Sequence, residues 1–202
     1  YQKGTLKSKL CSKGKNYLYE FCKKYKVNHN KIGKIFLANS NNEINELNKI
    51  MSLASSNGIS DLREMNSKEL KKLEPNISGK FAILSPSSGI LDSYDFMQKL
   101  LNLFEDNEGI FASLTPFLDA EYSDSQSIWK VRTGGNDATV IESKIIINSA
   151  GLNSINLFNK IFPKLKSPTL NPVKGAYLKY SGKKIIKHII LLNILFAFLY
   201  SQ

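Results

Sequence analysis

The chain has 202 residues with a formal charge of +11, and its hydrophobic share of 42% is ordinary for one large globular domain or two small ones. The positive charge is almost all lysine, with arginine only at Arg63 and Arg132. Such a charge reads as a solvated basic surface and not as a base-reading nucleic-acid interface. The two histidines, His29 and His188, join no metal-ligand cluster and no Ser/His/Asp spacing, and no signal peptide is visible at Tyr1.

Residues Thr5 to Tyr25 predict an amphipathic helix, with Leu6, Leu10, Tyr17, Leu18, Phe21 and Tyr25 on its inward stripe. Cys11 and Cys22 fall on one side of it, about 16 Å apart along the axis. That is too far for a disulfide, so both read as reduced core residues of a cytosolic-type protein. Lys34 to Ala38 predicts a strand. A helix follows over Asn42–Ser56 with Ile44, Leu47, Ile50 and Met51 inward, ended by Asn57-Gly58. Ile59 to Met65 predicts a short strand. Ser67 caps a helix that stops before Pro75, and Lys80 to Leu84 forms a strand.

Ser85-Pro-Ser-Ser-Gly-Ile-Leu-Asp92 is a loop rich in helix and strand breakers. Asp92 or Ser93 caps a helix over Tyr94–Phe104. Strands are expected at Ile110–Leu114 and beyond Phe117, then a hairpin of Ile128–Arg132 with Ala138–Ile141. The β-branched run Ile145-Ile-Ile147 predicts a buried strand. It ends in Asn148-Ser-Ala-Gly151 and passes at once into a helix over Asn153–Phe162. A strand that turns sharply onto a helix N-terminus aims backbone N–H groups outward, and Gly151 permits close approach, a geometry suited to a phosphate. A last strand is expected over Lys174–Tyr180. Helical pieces alternating with strands, with a β-meander among them, argue for α/β or α+β.

Several of these segments, in order, resemble the FAD-dependent L-2-hydroxyglutarate dehydrogenases/oxidases, within the D-amino-acid-oxidase-like flavoproteins. Thr5-Leu-Lys-Ser-Lys-Leu-Cys11 is similar to that family's S-L-K-A-x-L-C helix. Tyr17–Cys22 and Gly33–Ala38 continue the match. Glu74-Pro75 and Leu84-Ser-Pro-Ser-Ser-Gly-Ile-Leu-Asp-Ser93 resemble its L-x-P-x-x-G-I-V-D-S turn. Asn148-Ser-Ala-Gly-Leu152 resembles its N-A-A-G-L flavin-contact turn, and Lys174-Gly-Ala-Tyr177 its K/R-G-x-Y strand.

The resemblance implies an α/β fold with α+β mixing. It would join a partial FAD/NAD(P)-binding-like domain, β-meander included, to an antiparallel-sheet substrate domain. Residues 1–26 would be a helix bridging the FAD part. Residues 27–90 and 173–184 would form the substrate part, and 91–172 the FAD part. FAD is the implied cofactor, and a 2-hydroxy dicarboxylate the implied small-molecule substrate, oxidised at C2. Quinone or oxygen would be the electron acceptor, and no nucleic acid is expected. Ser149, Ala150 and Gly151 are the implied cofactor contacts, with Phe117 where the family has Val. Lys174 and Tyr177 are the implied catalytic, substrate-side residues. Strand alternation sets those two on opposite faces, with Tyr177 preferred toward the flavin. Lys7 is a third candidate, Arg132 reads as solvated, and Asp92 reads as a helix cap.

The family's G-x-G-x-x-G turn occurs nowhere in this sequence. The chain is therefore expected to be a fragment that neither holds FAD stoichiometrically nor turns over on its own. Residues 185–202 depart from the family pattern. They read as a frame-shifted tail or a short hydrophobic anchor, which makes the expected location cytoplasmic with peripheral membrane contact. Rival expectations are a sister flavoenzyme acting on an amine, amino acid or glycerol-3-phosphate, and a basic module binding nucleic acid or a membrane surface.

Overall fold

The computed structural model describes residues 1–172, 182–183 and 185–192. It divides into two compact units, Tyr1–Asn107 with Leu178–Gln202, and Glu108–Tyr177. Its mixed helices and sheets agree with the α/β and α+β expectation.

The first unit opens with helix α1 (Leu6–Lys24), capped by Thr5, whose hydroxyl accepts the Ser8 N–H at 3.2 Å. Strands β1 (His29–Asn30) and β2 (Lys34–Ala38) follow. Helix α2 (Asn41–Ser56) starts with a full capping box between Ser40 and Glu43. Strand β3 (Arg63–Asn66) leads into α3 (Ser67–Leu73). Then come β4 (Phe81–Ser85), β5 (Ile90–Leu91) and α4 (Ser93–Asp106). Asp92 caps α4 by accepting the Asp95 N–H at 3.0 Å.

In the second unit β6 (Phe117–Ser123), β7 (Ile128–Thr133) and β8 (Val140–Ser143) form an antiparallel meander. A single 3₁₀ turn at Gly151–Asn153 enters α5 (Ser154–Ile161), which packs on β6. The ring of Trp129 on β7 meets Phe162, just past α5, edge to face at 6.0 Å. The Arg132 guanidinium holds the Asp119 carboxylate in two parallel bonds of 2.5 Å across the β6–β7 pair.

The core of the first unit follows from strand alternation. The sheet runs β3-β4-β2-β9, where β9 (Ile189–Leu191) lies parallel to β2 and the other pairs are antiparallel. Ile35, Leu37 and Ala82 point to one face and pack with Leu70 of α3. Ala38 and Ile83 point to the other and pack with Leu47 of α2. A separate two-stranded pairing joins β1 to β5 and so ties His29–Asn30 to Ile90–Leu91.

Several expectations change. The inward stripe of α1 is wrong in phase along its first half. Leu6, Leu10 and Tyr17 are exposed, while Ser8 and Cys22 are buried. The helix is seated from its C-terminal end, where Phe21 packs edge to face on Phe96 at 5.2 Å. Cys11 is accordingly an exposed free thiol, and only Cys22 is a core residue. The strand expected from Ile59 begins at Arg63, and Asn66 caps α3 in place of Ser67.

Ile110–Leu114 is not a strand, and Leu114 adopts a positive φ of 54°. Ile145–Ile147 is not a strand either. Ile145 is 72% exposed and Ile147 83%. A run of this kind is buried only between paired neighbours, and no described strand pairs with it. Within the segment read as a tail, Ile189–Leu191 hydrogen-bonds along β2. No described helix is long and apolar enough to cross a membrane. The expected strand over Lys174–Tyr180 lies outside the described residues.

Candidate functional site

The Asn148–Gly151 turn is built by its own side chain. Asn148 Nδ2 donates to the Ser154 carbonyl at 2.8 Å, and Asn148 Oδ1 accepts the Ala150 N–H at 3.3 Å. Asparagine can bridge a turn in this way because its short amide carries both a donor and an acceptor. Gly151 sits at φ 56°, in the left-handed region, and a Cβ placed there would meet nothing within 4 Å. Ser149, Ala150, Gly151 and Leu152 are all exposed, and the first turn of α5 carries no acidic residue.

The result is an open, uncharged turn at the positive end of a helix, and it fits a phosphate-bearing cofactor. Three of the sequence-predicted contacts, Ser149, Ala150 and Gly151, lie together in it. The fourth, Phe117, opens β6, the strand on which α5 packs. Lys174 and Tyr177 lie outside the described residues.

The first unit holds a cleft of about 770 Å³. One wall is α1, with Ser12, Lys15 and Asn16. The opposite side is apolar, with Phe36, Leu53 and Leu62 among its residues. Lys15, Lys34, Ser87 and Ser88 also border a smaller recess of about 260 Å³, so these four side chains stand between the two hollows.

The polar end is ordered. Lys15 Nζ donates to Ser87 Oγ at 2.6 Å, and Tyr19 Oη donates to the Ser87 carbonyl at 2.9 Å. The Ser85 and Ser88 hydroxyls lie 3.0 Å apart. The Ser87 hydroxyl holds the Asp61 carboxyl below its ordinary value, helped by the Lys15 and Lys31 charges and opposed by burial. Burial pushes the Tyr19 phenol up.

Gly89 lets this loop close on α1. A Cβ there would lie 2.5 Å from both the Asn30 carbonyl and Tyr19 Oη. Sequence reasoning placed a breaker-rich loop at 85–92 but missed Lys15, Lys34, Asp61 and Ser87 as one cluster, because they come from α1, β2 and two loops. The other candidates fall elsewhere. Lys7 Nζ lies over the Tyr1 ring at 4.5 Å, Arg132 pairs with Asp119, and Asp92 caps α4. No group of three metal-ligating side chains occurs among the described residues.

A mixed sheet flanked by helices in one unit and an antiparallel meander with a helix in the other define a mixed α/β and α+β protein. Residues 1–195 match the DAO family, described as FAD dependent oxidoreductase, and the chain belongs to that family.

Within it, the chain is 36% identical to the mitochondrial L-2-hydroxyglutarate dehydrogenase of Arabidopsis thaliana, over 91% of this chain and 44% of the plant protein. It is 30% identical to the mitochondrial enzyme of the same name from Caenorhabditis briggsae, over 96% of this chain and 44% of that protein. The Escherichia coli L-2-hydroxyglutarate dehydrogenase is 26% identical over 94% of this chain and 44% of its own length. The chain thus spans less than half the length of the curated relatives it matches.

Among solved structures, L-α-glycerophosphate oxidase from Mycoplasma pneumoniae with FAD bound superposes with a TM-score of 0.70 at 19% identity. It covers 80% of this chain and 43% of that one. L-proline dehydrogenase from P. horikoshii gives 0.67 at 15%, covering 78% and 41%. These two share the fold.

Proposed function

We propose that this chain serves FAD-dependent oxidation of L-2-hydroxyglutarate to 2-oxoglutarate. The observation that carries the reading is identity of 30–36% across nearly the whole chain to proteins named for that reaction. The open, uncharged Asn148–Gly151 turn supports it as a candidate cofactor contact. The rival substrates, amines, amino acids or glycerol-3-phosphate, are not favoured by those relatives, and neither is a nucleic-acid or membrane module.

In this reading the backbones of Ser149, Ala150 and Gly151 approach the phosphate-bearing part of FAD, and the Phe117 backbone contributes a further contact. Bound FAD supplies the acceptor for the hydride that leaves C2 of the substrate. Lys174 serves as a substrate-side cation in this reading. Tyr177 serves to orient the substrate hydroxyl, whose proton is taken by a base as the hydride leaves C2. The electrons pass finally to a quinone or to oxygen.

The test is dye reduction by the longest product of the gene, with L-2-hydroxyglutarate, glycerol-3-phosphate, glycine and L-proline offered separately. Turnover with L-2-hydroxyglutarate and a flavin absorption spectrum are the expected result. Turnover with another of the four and none with L-2-hydroxyglutarate overturns it.

A further inference from the structure

The substrate of the proposed reaction carries two carboxylates, and each needs a cationic or hydroxyl donor. Arginine is the usual fork for this role, but Arg132 is committed to Asp119, and Arg63 stands on β3 outside the cleft. The donors that do line a hollow of adequate size are lysines with hydroxyls beside them. About 770 Å³ lies within the range of small-molecule sites.

Ser87 Oγ accepts one hydrogen from Lys15 Nζ at 2.6 Å, and the Ser87 hydroxyl is the main cause that holds the Asp61 carboxyl below its ordinary value. Lys15 therefore keeps two of its three donors for a ligand. Lys34 reaches the same end of the cleft from β2. Its ammonium lies 5.9 Å from the Phe36 ring centroid, and no carboxylate pairs with it among the described residues. Lys31 acts on Asp61 as well. Lys15 and Lys34 thus bring two ammonium groups to the cleft lining, with the Ser85, Ser87 and Ser88 hydroxyls beside them, a donor set that suits the two carboxylates of a dianion.

We propose that the cleft between α1 and the β2–β4 sheet binds a small dicarboxylate, with Lys15 and Lys34 as the carboxylate-holding side chains and Ser87 positioning Lys15; this rests on the reading of a 2-hydroxy dicarboxylate substrate. The apolar wall of Phe36, Leu53 and Leu62 receives the methylene chain. Asp61 acts through Ser87 and touches no substrate.

The cleft contains its own reporter. Cys11 lines it and is an exposed free thiol, while Cys22 is buried. The experiment measures the rate at which a thiol reagent labels Cys11 in the full 202-residue chain as ligand is added. Glutarate and L-2-hydroxyglutarate are expected to slow labelling to a common plateau. Butyrate, with one carboxylate fewer, is expected to need about ten-fold more, in keeping with the loss of a charge-assisted hydrogen bond.

Lys15→Met and Lys34→Met are each expected to weaken glutarate protection about ten-fold. Lys71→Met, on α3, is expected to leave it unchanged. No protection by glutarate, equal protection by butyrate, or tighter protection by glycerol-3-phosphate overturns the proposal. The ligand series needs no variant, so a poorly folding substitution does not rescue the idea. Turnover of L-2-hydroxyglutarate with no Cys11 protection would sink the cleft and leave the proposed reaction standing. Cys11 protection without turnover would do the reverse.

Discussion

Glu74 and His188 hold the two chain segments of the first unit together. Glu74 Oε1 accepts from His188 Nδ1 at 2.6 Å, and also from the backbone N–H groups of Lys187 and His188 at 2.7 and 2.8 Å. The carboxylate is 1% exposed. It stands at the C-cap of α3 and fixes the chain just before β9. Glu74→Ala leaves three donors without their acceptor. The expected loss is about 3 kcal/mol of stability, the scale for breaking a buried pair from one side, measured by urea unfolding.

The pH dependence follows from the same geometry. Burial raises the Glu74 carboxyl, and the bonds from the His188 ring and the two amides outweigh it, so its value lies below the ordinary 4.5. A folded value below the unfolded one stabilises fully above pH 4.5, and that contribution disappears as pH falls through the folded value. Unfolding free energy should therefore drop on the acid side in the wild type. The drop should be shallower in Glu74→Gln, and identical acid slopes would count against the clasp.

Ser87→Ala separates Asp61 from its hydroxyl partner. Asp61 should then titrate closer to its ordinary 3.8, as read from its carboxyl carbon resonance. The depressed value stabilises the fold above pH 3.8 and loses that effect as pH falls through the folded value. The variant should show less acid-side destabilisation from this group. An unmoved Asp61 resonance would remove Ser87 from the network.

Gly89→Ala tests the closure of the 85–92 loop. The added methyl would sit 2.5 Å from two polar atoms on different elements, Asn30 and Tyr19. Overpacking of this kind costs about 2 kcal/mol. Both the Tyr19–Ser87 bond and the β1–β5 pairing should loosen, which amide exchange at Asp92, whose N–H donates to the Asn28 carbonyl at 2.7 Å, would report.

The elements of the first unit were legible because their signals are local. The Asn57-Gly58 stop, Pro75 after α3 and the apolar run within Lys34–Ala38 each specify structure within a few residues. Burial was less legible. Leu10 and Leu47 look alike in a periodicity, yet Leu47 is fully buried beneath the sheet and Leu10 is 60% exposed. Leu47→Ala should cost about 3 kcal/mol, and Leu10→Ala less than about 0.5 kcal/mol. Equal losses would restore the stripe as read from sequence. The Ile145 run failed for the same reason, since a strand is defined by its neighbours and not by its own residues. The Lys15–Ser87–Asp61 chain was not legible because it links positions tens of residues apart.

Gly151 makes the last prediction. Its φ of 56° is open to glycine and costs an ordinary side chain about 1 kcal/mol. Because the space around it is empty, Gly151→Ala should cost that conformational amount and nothing for crowding. Gly151→Val should cost more, since β-branching disfavours the left-handed region further. Trp129 is the chain's one tryptophan and packs on Phe162 just past α5, so its fluorescence reports whether that helix stays docked. An unchanged emission with a graded loss of stability is expected. Equal losses for Ala and Val would mean that the backbone, not the side chain, relaxes at Gly151. The turn would then owe its shape to the two Asn148 bonds, and Asn148→Ala should unseat it where Gly151→Ala does not.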